Sequence, residues 1–293
     1  MIRDYAELNR SKRMSGILYV CGTPIGNLED MTPRAVRILN EVDIIAAEDT
    51  RNSSKLLNHF DIHTPMVSYH KYNEHERGAE LIGKLKEGAN IAIITDAGMP
   101  AISDPGETLV HMAHEDKIPV IVIPGPSAGI SALALSGLDT RRFVFEGFLP
   151  RVKKEHKERL EAIRVEERTI VLYEAPHRLQ KTLEELSQLL GEDRMISISR
   201  EISKKHEETV VSTIGQAFKH YTENEPKGEF VLVIAGRDKA EAIEEQRKSW
   251  ESMTVEEHVE YYIAQGNDKK EAMRLAAADR GVSRRDIYNA IMK

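Results

Sequence analysis

The chain has 293 residues, 41% hydrophobic and 30% charged, the balance of a folded globular protein and not of a disordered, collagenous or membrane-embedded one. At about 150 residues per domain, this length supplies roughly two domains and a core that needs no disulfide or metal staples. Lys and Arg number 41 against 48 for Asp and Glu, a formal charge of −7, so any contact with nucleic acid must rest on local basic surfaces.

The opening residues, MIRDYAELNRSKRMSG, carry Arg and Lys without the apolar stretch of a secretory signal. Residues 1–15 are expected to be a disordered extension, with Met14 as an alternative start. From residue 17, short β-rich runs alternate with amphipathic stretches (ILYVC, TPRAVRILNE, VDIIAA, TRNSSKLLNHF, PMVSY), the rhythm of an α/β fold. Thr32 followed by Pro33 marks a helix start, so the loop GTPIGNLEDM lies between a strand and a helix. NIAIITDAG is a buried strand that empties into DAGMPAISDPG, and IPVIVIPGPSAG repeats the order of strand, Pro/Gly loop and helix. Three small-residue loops thus follow three strands. In an open α/β sheet they gather at the carboxyl edge, where ligands bind.

Composition shifts over GLDTRRFVFEGFLPR, which holds Phe143, Phe145 and Phe148, three of the six phenylalanines, and this places a domain boundary near residue 140. The trio is either an apolar interface or core. Beyond it, ERTIVLYEAPHRL, RMISISREISKKHEETVVST and EPKGEFVLVIAG provide three or four strands of a second α/β layer. The expected division is one α/β domain over 16–138, a second over 139–237, a linker over 238–253 and a helical module over 254–293. The module divides into three short helices at Gly266 and Gly281, and its last two are joined by a Gly-Val-Ser turn as in a helix-turn-helix. Over residues 268–293, seven basic side chains oppose four acidic ones, so Lys269, Lys270, Arg284 and Arg285 are candidate RNA contacts; the alternative is a solvated helical cap.

None of the loops carries a G-x-x-x-x-G-K-[ST] or G-x-G-x-x-G pattern, so no phosphate clamp is signalled. Their glycines and prolines either let the backbone approach a ligand or punctuate βα turns. Asp96 and Asp104 flank Gly98, Pro100 and Ser103 and offer acceptors to a ligand amine or hydroxyl pair, with Met99 and Ile102 as apolar contacts. The alternative for Asp104 is a helix cap with Pro105 in the first turn. Glu48, Asp49 and Arg51 stand at one strand end and Glu174, His177 and Arg178 at another, on one edge if both sheets are parallel. A carboxylate or imidazole there accepts a proton from an attacking hydroxyl, and Arg51 and Arg178 hold a phosphodiester; caps and ion pairs are the alternative. His70 and His75 are too weak a pair to indicate zinc, and no metal is expected. The single Cys21 excludes an internal disulfide and fits a reducing cytoplasm.

The motifs TPIGN, AAEDTR, TDAGMPAISDPG, PGPSA, YEAPHR and GEFVLVIAG, in this order over roughly residues 16–236, closely resemble the bacterial ribosomal RNA small subunit methyltransferase I family. The wider superfamily, the tetrapyrrole methylases, implies two α/β domains with S-adenosylmethionine in the cleft between them. Where tetrapyrrole members carry G-x-G-P-G-D, this chain has GTPIGNLED, a departure that favours RNA over a porphyrin-like substrate. The resemblance implies methyl transfer to the 2′-hydroxyl of a cytidine in 16S ribosomal RNA near the decoding region, by a cytoplasmic homodimer acting on that RNA or on the small ribosomal subunit.

Carried over by motif, the cofactor pocket uses Thr23, Pro24, Ile25 and Gly26; Asp96, Ala97, Gly98, Met99, Pro100, Ile102 and Ser103; Ser127 and Ala128; Tyr173 and Ala175; and Gly228 and Glu229. For the base, chemistry points to Glu48 or Asp49, with Glu174 and His177 behind them, so Asp49→Ala is expected to lower turnover about tenfold or more. The rival readings are a small-molecule methyltransferase of the tetrapyrrole type and a non-catalytic RNA-binding protein of ribosome assembly. A dinucleotide-dependent oxidoreductase is disfavoured because its glycine fingerprint is not found.

Overall fold

The computed structural model describes residues 15–238, 250 and 253–292. Five short aliphatic runs lie side by side in its first half: β1 (Leu18–Cys21), β2 (Ile44–Ala47), β3 (Met66–Ser68), β4 (Ile91–Ile94) and β5 (Val120–Ile123). They form a wholly parallel sheet in the order β3-β2-β4-β1-β5. Alternate residues feed two cores. Tyr19, Cys21, Ile45, Ala47, Ala92 and Ile94 pack with Ile38 and Leu39 of helix α1 (Pro33–Glu41) and Leu57 of α2 (Thr50–His59). Leu18, Val20, Ala46, Ile91 and Ile93 pack with Leu81 and Leu85 of α3 (Glu74–Lys86) and Leu109 of α4 (Glu107–Glu115). Burial on both faces of the central strands β1, β2 and β4 is why those three runs are continuously aliphatic. Thr32 caps α1 by accepting from the Ala35 amide, with Pro33 in the first turn as its sequence predicts.

Because the strands are parallel, the loops after β1, β4 and β5 emerge together. Gly22 and Gly125 there meet backbone to backbone: a Cβ on Gly125 would lie 2.9 Å from the Gly22 Cα, and one on Gly22 would lie 2.8 Å from the Gly125 Cα. These glycines are therefore required by each other, a reason separate from ligand approach or turn punctuation. Thr23 ties in the third loop. Its backbone pairs with Gly98, and its Oγ1 donates to the Thr95 carbonyl at 3.1 Å.

The second sheet contains β6 (Phe143–Phe148), β7 (Thr169–Glu174), β8 (Met195–Arg200), β9 (Glu208–Thr213) and β10 (Phe230–Ile234), in the order β6-β7-β10-β8-β9. Only β6 and β7 are parallel; the other pairs are antiparallel. The stretch RMISISREISKKHEETVVST folds back on itself as the β8–β9 hairpin, so this half has five strands where three or four were expected. The mixed directions also remove parallelism as the reason for Glu48 and Glu174 to share an edge. One face of this sheet packs Leu172, Ile198 and Leu232 against Ile163 of α6 (Lys153–Val165), Leu179, Leu183 and Leu186 of α7 (Pro176–Leu190), and Ala217 of α8 (Ile214–Glu223). The other face packs Val171, Val231 and Val233 against Ala132 and Leu133 of α5 (Ala128–Leu135). Helix α5 precedes the expected boundary near residue 140 yet belongs to the core of the second sheet. Both sheets lie in one compact unit, residues up to Ile163 together with Thr169–Ala235.

The other unit comprises Arg164–Arg168 and the chain from Gly236 onward. In it α9 (Val255–Ala264), α10 (Lys269–Arg280) and α11 (Arg284–Ile291) pack around Val259, Met273, Ala276 and Ile287. Gly281 ends α10 in the left-handed region at φ 64°, and Ser283 opens α11 with a capping box, so the Gly-Val-Ser turn is stop and start in one. Arg280 donates to the carbonyls of Trp250, Met253 and Thr254, and through Nε to Nδ1 of the buried His258 at 3.0 Å. The expected extension over 1–15, except Ser15, lies outside the described residues, as does the expected linker over 238–253, except Asp238, Trp250 and Met253. Among the described residues, no helix is long and apolar enough to cross a membrane.

Gly125→Ala is expected to destabilise the chain by about 1–3 kcal/mol, because the crossing loops have no room for a methyl group. Urea unfolding measures this as a lower midpoint at unchanged slope, and an unshifted midpoint would show that the loops part freely.

Candidate active site

Segments of both sheets enclose a cavity of about 540 Å³, within the ~300–1,000 Å³ usual for small-molecule sites. One wall is acidic: Glu48 follows β2, and Asp96 and Asp104 lie in the loop after β4. The remaining walls combine apolar side chains, Ile25, Met99 and Ala128 from the first half and Phe148, Tyr173, Ile202, Phe230 and Val231 from the second, with Glu174, His177, Lys204 and Glu229.

The loop after β4 is bent by left-handed residues, Gly98 at φ 83°, Ala101 at 67°, Ser103 at 65° and Gly106 at 139°. Two of these carry a Cβ, and such strain of order 1–3 kcal/mol per residue persists only where surroundings enforce it. Here the Ala101 amide donates to the Pro105 carbonyl and the Gly106 amide to Glu74. Helix α4 starts at Glu107 with Gly106 as its N-cap. Asp104 is therefore not a helix cap, which corrects that alternative, and its carboxylate lines the cavity instead.

Burial, then repulsion from Glu48 and Asp96, pushes the Asp104 carboxyl up from 3.8 to about 6. Burial also raises Glu48, against the hydrogen bond it accepts from the Asp96 amide at 3.4 Å. Asn52 donates to Asp96 at 3.0 Å. Among the described residues, no Lys or Arg forms an ion pair with Glu48, Asp96 or Asp104. Three carboxylates thus share an apolar cleft without a countercharge, an arrangement that attracts a cation. Lys204, which also lines the cavity, is committed elsewhere, to Glu201 at 2.9 Å and Glu229 at 2.8 Å.

Most of the expected site residues line this space: Ile25, Asp96, Ala97, Gly98, Met99, Ile102, Ser103, Ser127, Ala128, Tyr173, Ala175 and Glu229, with Glu48, Glu174 and His177. Thr23, Pro24 and Pro100 are buried behind it. Gly26 and Gly228 stand outside the lining and make room for other groups. A Cβ on Gly26 would strike the stem of Lys204, and one on Gly228, at φ 90°, would come within 2.7 Å of Glu201 Oε1. Tyr173 accepts from the Gly129 amide at 3.1 Å, pinning the start of α5, and meets Phe145 and Phe148 edge-on.

Three expectations are corrected by geometry. Asp49 does not line the cavity; it caps α2 by accepting from the Arg51 amide at 2.9 Å, and the Arg51 guanidinium beside it holds its carboxyl below the usual range. Glu174 is buried with both oxygens engaged, Oε2 by the Thr182 hydroxyl at 2.6 Å and Oε1 by the Ala175 amide at 2.9 Å, so it fastens α7 to β7. Arg178 is not free for phosphate, because both its Nη atoms donate to the Leu149 carbonyl at 3.2 Å. Ile202, Lys204, Phe230 and Val231 were missed. The first two lie in the β8–β9 turn, where no motif marks them, and the last two read as ordinary strand.

Residues 17–217 match the family described as Tetrapyrrole (Corrin/Porphyrin) Methylases. Among solved structures, the fold is similar to uroporphyrin-III-C-methyltransferase from Thermus thermophilus, with a TM-score of 0.53 and 19% identity over 75% of this chain and 94% of that one. It is also similar to diphthine synthase, with a TM-score of 0.58 and 16% identity over 75% and 90%. Fold and cleft together define a protein of the tetrapyrrole methylase class. Higher identity is found with proteins named Ribosomal RNA small subunit methyltransferase I: 50% with that of Halalkalibacterium halodurans over 94% of both chains, and 46% with that of Bacillus subtilis over 99% of this chain and 98% of the other. The counterpart from Thermotoga maritima is 44% identical over 76% of this chain and 100% of its own. The chain belongs to the ribosomal RNA small subunit methyltransferase I family, a family of S-adenosylmethionine-dependent methyltransferases.

Asp49→Ala is expected to lower the melting temperature by a few degrees through loss of the α2 cap and to leave turnover nearly unchanged. A turnover loss of about tenfold at full occupancy with folded protein would return Asp49 to the chemistry.

Proposed function

We propose that this chain methylates the 2′-hydroxyl of a cytidine in 16S ribosomal RNA near the decoding region, drawing the methyl group from S-adenosylmethionine. What carries the reading is the set of three uncompensated carboxylates in an apolar cleft of a chain that belongs to this family. The donor fits these residues: its sulfonium and ammonium charges suit Asp96 and Asp104, and its flat adenine suits Ile25, Met99, Ala128 and Val231. When bound, it supplies a methyl group already activated on a cationic sulfur.

The protein then has two tasks. Holding the ribose hydroxyl in line with the methyl carbon, in a cleft that excludes water, accounts for about 7–11 kcal/mol of the barrier. Glu48 performs the second. It lines the cavity, and burial makes it a stronger base than an ordinary carboxylate. As the ribose oxygen bonds to the methyl carbon and the carbon–sulfur bond breaks, Glu48 takes the hydroxyl proton, a contribution of about 10²–10⁴-fold. His177, on the cavity wall, stands second for this role.

Exposed Arg51 beside the acidic wall, and exposed Lys269, Lys270, Arg284 and Arg285 on α10 and α11, support contact with RNA phosphates. The half-exposed Phe143, Phe145 and Phe148 on the edge strand β6 support association of two copies, and a cytoplasmic location belongs to the same reading.

Incubation with methyl-labelled donor and small subunits lacking the modification, followed by nuclease digestion and mass spectrometry, is expected to place label in 2′-O-methylcytidine; label confined to a small molecule would overturn the reading. In single-turnover assays at saturating donor, Glu48→Gln is expected to slow transfer about a hundredfold, and an unchanged rate would remove Glu48 as base.

Donor binding should also depend on pH. Below 3.8 the Asp104 carboxyl is protonated in both folded and unfolded chains, and above about 6 it is ionised in both. Its raised value therefore costs the empty fold stability as pH rises through this window, and a bound cation relieves that cost. By calorimetry, affinity for S-adenosylmethionine should strengthen from pH 5 to about 7, and more than affinity for S-adenosylhomocysteine, whose sulfur is neutral. Parallel profiles for the two would show that the carboxylates do not face the sulfur.

A further inference from the structure

A second depression, of about 430 Å³, is built on the same two segments that close the cleft. Phe148 and His177 line the cleft; Pro150 and Arg178, two and one positions further on, line the depression. Its chemistry is the reverse of the cleft's. Arg151, Lys153, Arg178 and Lys181 oppose a single carboxylate, Glu185, in a chain whose total charge is −7. Apart from Pro150 and the largely buried His156 ring, its lining is polar or charged, and positive charge predominates.

The shape is held from below. The His156 ring, largely buried, lies with Nδ1 2.9 Å from the Pro150 carbonyl and Nε2 2.9 Å from Glu185, which ties α6 to α7. Arg178 grips the Leu149 carbonyl with both Nη atoms and so fixes the segment that presents Arg151 and Lys153. Those two side chains are exposed and form no ion pair with any described residue. Lys181 stands 3.7 Å from Glu185, whose other oxygen is already held by His156.

We propose that this depression is a docking groove for the sugar-phosphate backbone of the RNA substrate, with Arg151, Lys153 and Lys181 facing phosphates next to the nucleotide held in the cleft. The inference rests on the RNA-methyltransferase reading above. Contacts of this kind set register and affinity without reading sequence, and their signature is a dependence on salt.

The test compares the full-length chain with R151Q/K153Q/K181Q, using a short cytidine-containing RNA and unmethylated small ribosomal subunits as probes. The triple variant is expected to bind both at least about tenfold more weakly, with a log-affinity against log-salt slope shallower by about 2, at ~0.7 per lost contact to a single strand. R151K/K153R/K181R should retain affinity, and calorimetry should find donor binding unchanged in both variants, which establishes that they are folded. Wild-type affinity and slope in the triple glutamine variant would overturn the groove, as would equal losses in the charge-conserving variant, which would trace the effect to packing. Methyl transfer is read on the same samples. RNA binding that depends on the three residues but goes without transfer refutes the enzymatic reading alone, whereas transfer with no such dependence refutes the groove alone.

Discussion

The contact on which the site depends is the crossing of two backbones at Gly22 and Gly125. Parallel strands bring their exits to one edge, but exits alone make an open fringe. With no side chain between them, the loops after β1 and β5 close to van der Waals contact, and Thr23 then draws in the loop after β4 through its bridge to Gly98. Gathered in this way, the three loops become one wall. The left-handed turns at Ala101 and Ser103 are tolerated because that wall is rigid, and they aim Asp104 into the cavity.

The two halves contribute different physics to the cleft. The parallel sheet supplies charge, through carboxylates placed at strand ends and left uncompensated. The mixed sheet supplies apolar surface: Phe148, Tyr173, Phe230 and Val231 line the cavity opposite those charges. Basic groups in this region are engaged away from Glu48, Asp96 and Asp104. Lys204 is held between Glu201 and Glu229, and Arg178 is turned toward a backbone carbonyl.

Much of the first sheet was legible because its signals are local. Thr32-Pro33 announces a helix, and IAII announces a doubly buried strand. The second sheet was harder to read. The hairpin within RMISISREISKKHEETVVST has no Gly or Pro at its turn, and it is made by Glu201 and Ser203 in left-handed conformations that these residue types do not advertise. At the site, motif residues fell on the cavity where a loop faces it, but a motif does not say which of two adjacent carboxylates points inward. Glu48 and Asp49 are adjacent carboxylates after β2, yet Glu48 lines the cavity and Asp49 caps α2. Glu174 and Arg178, polar residues beside a strand end, serve as fasteners of α7, a role visible only once Thr182 and Leu149 are in place. Gly26 and Gly228 matter for what they leave space for, and no local pattern encodes that.

Helix α5 lies before the change in composition near residue 140 but packs into the second sheet. The chain therefore cannot be cut at that point into two self-sufficient pieces. A fragment ending there would carry Ala132 and Leu133 into solvent, and the remainder would expose Val171, Val231 and Val233. Each piece would be sticky until it met the other, so the two halves are constrained to be made, inherited and degraded together, as one covalent object rather than a pair of interchangeable parts.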